Sequence, residues 1–269
     1  MNICSEAKAF AYDMYVAKYH SDTNFERDFA LYQDLPAFKA CENIHELHTR
    51  GDLADAEELF VEDDFSMKPE VHWIMRSVAQ YYLTEAFKAM KIDLDDSNIA
   101  VNALGKGTPG RIIKMWCGND PEDTAELGSG RWNKQPYIST FPNTDKNHSV
   151  ITKQVDVVSC CSHHFLPFST LDGGKATISY VPRKFVLGIS KLQRFVNWAA
   201  RRFWLQEDLT QYIGKMLMQV AETPDVYVKL EGLVHGCEKF RGAEAVDGHL
   251  TTEFKNGVFA AKNIKNIIE

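Results

Sequence analysis

The densest chemistry in the sequence sits at Cys160-Cys161-Ser162-His163-His164, and far downstream at His235-Gly236-Cys237. A Cys-x-x-His spacing brings a thiolate and an imidazole together across one turn. His235 and Cys237 are two residues apart at the end of an apolar run, so in extended chain they point to the same side. Two ligands from the first cluster and one from the second would make a three-ligand zinc site. Its fourth position would stay open for water, which is the catalytic rather than the structural arrangement. Spacing alone pairs Cys160 with His163 as well as Cys161 with His164, and the blander alternative is buried cysteines beside satisfied histidines. The chain has six cysteines, and its start, MNICSEAKAFAYD, shows no basic or continuously apolar leader. The expectation is therefore a cytoplasmic protein with reduced thiols, where clustered Cys and His point to metal or catalysis rather than disulfides.

These residues need elements to hold them. Ile151, Val155 and Val157 alternate with polar residues, as do residues 176–181 before Pro182, and both stretches read as strands. A further strand spans 225–234 and delivers His235 and Cys237. Between them, the apolar stripe Leu192, Phe195, Val196, Ala199, Phe203, Leu209, Ile213, Leu217 and Val220 predicts one long helix from Ser190 to about Glu222. Ser190 followed by Gln193 resembles a capping box at its start. Upstream, residues 71–90 predict a helix, and Thr108-Pro109 reads as an N-cap and first-turn pair. Residues 117–148, rich in Gly, Asn, Asp and Pro, read as a long irregular segment. Residues 1–60 read as helices, with one around Ala7–Ala17 and a short one over Leu53–Phe60. Strand, strand, helix, strand makes the class α+β.

Charge narrows the function. The net charge is −7, which argues against a general nucleic-acid binder. The acidity is local: residues 1–70 hold 6 Lys/Arg and 16 Asp/Glu, whereas the rest hold 24 and 21. An acidic front thus precedes a mildly basic body. No run of about 18 apolar residues suggests a membrane span.

Five motifs, in order, resemble the GTP cyclohydrolase I family. They are Thr108-Pro109-Gly110-Arg111-Ile112-Ile113-Lys114-Met115, Cys161-Ser162-His163-His164-Phe165-Leu166-Pro167-Phe168, Leu187-Gly188-Ile189-Ser190-Lys191-Leu192-Gln193-Arg194, Gln206-Glu207-Asp208-Leu209-Thr210, and His235-Gly236-Cys237 with Arg241-Gly242. Together they cover residues 72 to about 260. The resemblance selects Cys161, His164 and Cys237 as the zinc ligands and leaves Cys160 as a packed neighbour. It implies that His163 and His235 exchange protons, since imidazole titrates near working pH. Glu207, with Gln206 beside it, would recognise guanine, whose N1–H and 2-amino group are adjacent donors for a carboxylate. Ser190, Lys191, Arg194, Arg241, Arg111 and Lys114 match positions that contact substrate, the basic ones at the triphosphate. Ser162 stands where the family carries an acidic residue, and residues 243–254 are looser than the family's Thr/Ser-rich stretch.

The implied reaction opens the guanine ring of GTP at C8, releases formate and closes 7,8-dihydroneopterin triphosphate, a first step of pterin, folate or 7-deazaguanine synthesis. A water on zinc, its pKa lowered to near neutrality, would be the nucleophile. A non-catalytic purine- or pterin-binding subunit is the alternative. The implied fold is the tunnelling fold, an antiparallel four-stranded sheet with two long helices on one face. The implied assembly is a homodecamer of two pentamers, with sites between subunits and no nucleic-acid or membrane partner. The expected layout is an acidic helical extension, 1–70, followed by a catalytic domain, 71–269.

Overall fold

Strand-forming residues concentrate after residue 135, and helices before it. The computed structural model describes residues 3–19, 69–100, 107–119, 126–131, 133, 135–144, 149–240 and 248–260. The helix expected over Leu53–Phe60, and Arg241, lie outside the described residues. The chain forms two units, Met1–Lys134 and Gln135–Glu269.

The first unit contains α1 (Ser5–Tyr19), α2 (Pro69–Ala89) and α3 (Thr108–Cys117). Ala7 and Ala11, one turn apart, let α1 approach Ile74 and Val78 of α2 closely, with Ile3 completing a small core. His72 Nε2 lies 2.8 Å from the carbonyl of Cys117, tying α2 to the end of α3. The helix expected at 71–90 is present. At α3 the N-cap is Gly107, so Thr108 is already helical and Pro109 follows it in the first turn. The expected cap is thus one residue late: Gly107 takes the extended N-cap conformation with no side-chain capping bond.

The second unit is α+β. Its strands are β1 (Thr140–Pro142), β2 (Ile151–Val155), β3 (Val158–Cys161), β4 (Pro167–Ser169), β5 (Lys175–Tyr180), β6 (Phe185–Leu187), β7 (Phe203–Trp204), β8 (Val226–His235) and β9 (Leu250–Lys255). Two longer helices, α4 (Ile189–Ala200) and α5 (Gln206–Val220), precede a single turn, α6 (Gly236–Lys239). Strands β2, β5, β8 and β9 form a four-stranded antiparallel sheet in that order, with Ile151 opposite Tyr180, Tyr180 opposite Val226, and Val228 opposite Phe254. Leu192, Phe195, Val196 and Ala199 of α4 join Leu209, Ile213 and Leu217 of α5 in one core with Ile178, Val228, Leu230 and Phe254 of the sheet. Each of these large side chains contributes about 1.5–3 kcal/mol on burial, which holds the helix pair on the sheet. Gly214 permits the close approach: a Cβ there would come 2.2 Å from the Phe254 ring. The sheet and helix pair are those implied by the resemblance.

Two expectations change. The single helix Ser190–Glu222 is broken at residues 201–205, where Phe203 and Trp204 pair in parallel with Cys160 and Cys161. The spacing 199 to 203 fits a helix, so periodicity reads through the break; the step from 203 to 209 does not. Helix α4 also starts earlier than expected: its N-cap is Gly188, and Ser190 lies inside the first turn. Gln193 makes no capping bond. Its amide brackets the Asp156 backbone, accepting from the N–H and donating to the carbonyl, both at 2.9 Å.

A bulge in β8 matters most for the site. Pairing with β9 shifts between Leu230 and Leu233, and Gly232 there has φ +66°, a conformation that favours glycine. Past the bulge, β8 leaves β5 and pairs with β4, setting Phe168 opposite His235.

At the base of β8, Asp225 is 2% exposed, its Oδ2 paired with the guanidinium of Arg183 and its Oδ1 accepting from the Val258 N–H at 2.9 Å. Asp225→Ala removes the acceptor of that part-buried N–H and a charge-assisted pair. Unfolding in denaturant should show a loss of about 3 kcal/mol.

Candidate metal centre and its surroundings

Three strand ends meet at the centre. Strand β3 ends at Cys161, and the chain turns at once into β4, with Cys160 opposite Pro167. The turn is closed by two backbone bonds of 2.8 Å, from Cys161 N–H to the Leu166 carbonyl and from Phe165 N–H to the Cys161 carbonyl. Phe165 adopts φ +53° to allow it, and its ring packs edge-on against Phe203 at 4.7 Å. This one-turn loop faces His164 back towards Cys161, with Nδ1 3.9 Å from Sγ. Strand β4 carries β8 beside it, which delivers His235 and Cys237. Gly236 between them abuts the Pro167 carbonyl, where a Cβ would come within 3.0 Å.

Ligand atoms of Cys161, His164 and Cys237 lie within 4.8 Å of one another. Tetrahedral zinc with bonds of about 2.0–2.3 Å needs ligand separations of about 3.5–3.8 Å, so a small inward movement of the side chains completes the fit. Two sulfurs and an imidazole are the donor set zinc prefers, and three protein ligands leave a fourth position. The structure also separates the two cysteines. Cys160 is fully buried, stands outside this group, and burial pushes its thiol up to about 12, an inert packed position.

The remaining predicted residues fall into three sets. His163 is exposed on the same turn, its ring 5.9 Å from that of His164. His235 is half-buried, stacked face to face on Phe168 at 4.6 Å, and its Nε2 lies 2.7 Å from Gln206 Oε1. Burial holds its pKa below the ordinary value, while the nearby charges of Glu207 and Glu238 pull it up. Gln206 and Glu207 open α5 immediately after β7, which pairs with β3, so sheet pairing sets them beside the Cys161 end. Gln206 is 1% exposed, whereas Glu207 is exposed.

The second set is on α4. Ser190 and Arg194 are exposed and Lys191 half-exposed, and Lys191 and Arg194 share a face at i, i+3. The third set belongs to the first unit: Arg111 is exposed on α3, and Lys114 pairs with Glu126 at 3.5 Å. Arg202, beside these basic residues in sequence, is 2% exposed and stacks over Trp198 at 4.3 Å, which makes it a core residue.

Sequence reasoning missed Phe168, Thr210 and Thr252. Phe168 supports the His235 ring, and the two threonine hydroxyls, 2.6 Å apart, support Gln206. Phe168 and Thr210 were inside motifs; Thr252 sat in the stretch judged loose, where the polar alternation of Thr252-Glu253 was the available signal.

An α+β domain with a thiolate–imidazole triad, flanked by two further histidines and a carboxylate, defines a candidate metal-dependent enzyme. The model of the family GTP cyclohydrolase I matches residues 85–267, and the chain belongs to that family. A GTP cyclohydrolase 1 of Yersinia pseudotuberculosis is 34% identical over 195 residues, 71% of this chain and 80% of that protein. One from Shewanella sp. (strain W3-18-1) is 34% identical over 182 residues, 67% and 77% respectively. Among solved structures, an archaeosine synthase QueF-Like in the apo form aligns at 17% identity with TM-score 0.33, over 40% of this chain and 94% of that one. Among the described residues, no helix is long and apolar enough to cross a membrane.

Proposed function

We propose that this protein hydrolyses and rearranges GTP to 7,8-dihydroneopterin triphosphate and formate with zinc held by Cys161, His164 and Cys237. The observation that carries the reading is the convergence of that triad with His163, His235 and Glu207 on strand and helix ends of one sheet. Zinc there would supply Lewis acidity and bring the pKa of water close to neutrality. His163, exposed on the ligand turn, and His235, held against Phe168, move protons to and from the opening ring and the ribose oxygen. Glu207 accepts hydrogen bonds from guanine N1–H and the 2-amino group. Ser190, Lys191, Arg194 and Arg241 receive the triphosphate, joined by Arg111 and Lys114 from a neighbouring copy.

The assembly belongs to the same reading: a homodecamer of two pentamers in the cytoplasm, with residues 1–70 as an extension on a catalytic domain. Ile189 at 72% exposure and Phe240 at 76% are apolar surfaces that a second copy would cover. Incubating the purified protein with GTP, with and without a chelator, and identifying products by mass spectrometry tests it. Formate and the pteridine triphosphate should appear, and chelation should stop them. GTP left intact by the zinc-replete protein would refute the reading.

A further inference from the structure

Among the polar side chains around the centre, Gln206 has the most fully specified surroundings. Its amide nitrogen faces three acceptors: the carbonyls of Leu230 at 3.3 Å and Leu250 at 3.2 Å, and Thr252 Oγ1 at 3.1 Å. Backbone carbonyls only accept, so the NH2 end must face them; the flipped amide would set oxygen against oxygen. The threonines close the network. Thr210 donates to the backbone carbonyl of Gln206 at 2.8 Å, which leaves its oxygen to accept from the Thr252 hydroxyl at 2.6 Å, and Thr252 in turn accepts from the Gln206 side-chain amide. The two amide hydrogens are shared among the three acceptors and both hydroxyl hydrogens have a partner, so the network holds the Gln206 side chain in one orientation.

The amide oxygen therefore has one orientation, 2.7 Å from His235 Nε2. An amide oxygen only accepts, so the imidazole nitrogen must carry the hydrogen. A neutral imidazole has one N–H, which leaves the lone pair on Nδ1. The stack on Phe168, with planes 7° apart, fixes the plane of the ring as the hydrogen bond fixes its rotation.

We propose that Gln206 is a positioning residue that holds His235 in the Nε2-protonated tautomer, leaving Nδ1 as the one acceptor on the ring, and that the Gln206 side chain does not read guanine. The role in turnover rests on the function proposed above; the tautomer does not. Its amide is held by four partners inside the protein and the residue is 1% exposed, so recognition of the base falls to the exposed Glu207.

The test uses the full chain as purified, labelled with 15N-histidine, at about pH 8, above the ordinary imidazole pKa of about 6.5. Long-range proton–nitrogen spectra give the tautomer of each ring, and the signal lost in His235→Asn identifies His235. The wild-type spectrum should show hydrogen on Nε2, and Gln206→Met should give a mixture of tautomers. In steady-state kinetics with GTP, Gln206→Met should lower kcat by about 10- to 100-fold with KM changed less than about threefold. Thr252→Val, a smaller perturbation of the same clamp, should shift both readouts in the same direction. Hydrogen on Nδ1 in the wild-type protein would overturn the proposal, as would a Gln206→Met variant with raised KM and unchanged kcat, the pattern of a lost guanine contact. The spectrum is recorded without substrate, so it decides the tautomer whether or not GTP is turned over.

Discussion

Cys237→Ala is expected to lose bound zinc, measured by elemental analysis, and to lower GTP turnover by more than about a thousandfold. Cys237 is one of three candidate ligands, and it reaches the group from the helical turn after β8, whereas the other two lie at the end of β3 and in the turn after it. Cys161 and His164 come from one turn and would remain as a two-point site, too weak to retain zinc against water and buffer. The protein should still fold, because Cys237 packs at the margin of the core whereas the sheet and helix pair form its centre. The control is Cys160→Ala. That thiol is fully buried and outside the triad, so its loss should cost about 1 kcal/mol of stability through the cavity left behind, and leave zinc content unchanged. Stoichiometric zinc and full turnover in Cys237→Ala would end the metal assignment.

The second large effect is expected at Glu207. On the proposed reading the Glu207 carboxylate accepts two hydrogen bonds from guanine, each worth about 1.5–3 kcal/mol, so Glu207→Ala should raise KM for GTP by about a hundredfold or more. Zinc content should not change, because Glu207 is not among the three ligands. Glu207→Gln should recover little, since its amide would turn a donor towards a donor. The competing account is that Glu207, with Asp208 in the first turn of α5, merely favours the positive end of the helix. Substitution would then cost a few tenths of a kcal/mol of stability and leave KM unchanged. Titration of GTP against both variants decides between the two.

How far the site was legible depends on the distance over which each signal acts. The Cys-x-x-His spacing is local and marks the cluster, but it fits Cys160 with His163 as well as Cys161 with His164, and it was the resemblance that chose Cys161 and His164. Residues 176–181 and 225–234 were recognisable as strands because their alternation is set by the side-to-side geometry of extended chain. The break between α4 and α5 showed in the periodicity only as the misfit step from Phe203 to Leu209. Ala199 and Phe203 keep helical spacing, but pairing of Phe203 and Trp204 with β3 outweighs helix propensity in that stretch. The same break moves Gln206 from mid-helix to a helix start next to His235. The capping box at Ser190 failed for a related reason: Gln193 satisfies the backbone of Asp156, a partner 37 residues away in sequence, instead of its own helix end.

The resemblance supplied the ligand set, the guanine carboxylate and the triphosphate contacts; residue types and short spacings alone offered clustered thiols and imidazoles suited to a soft metal or catalysis. They also placed each of these on a helix, strand or turn, because propensity and periodicity are properties of neighbouring residues. The tertiary structure brought Cys237 within 4.8 Å of Cys161 and His164, a meeting of residues more than 70 positions apart that depends on the pairing of β8 with β4. It also decided the orientation of the Gln206 amide and with it the proton on His235. That orientation depends on carbonyls from β8 and β9 and a hydroxyl from β9, distant in sequence, and hydrogen-bond direction is set by which groups fold to within 3 Å of one another.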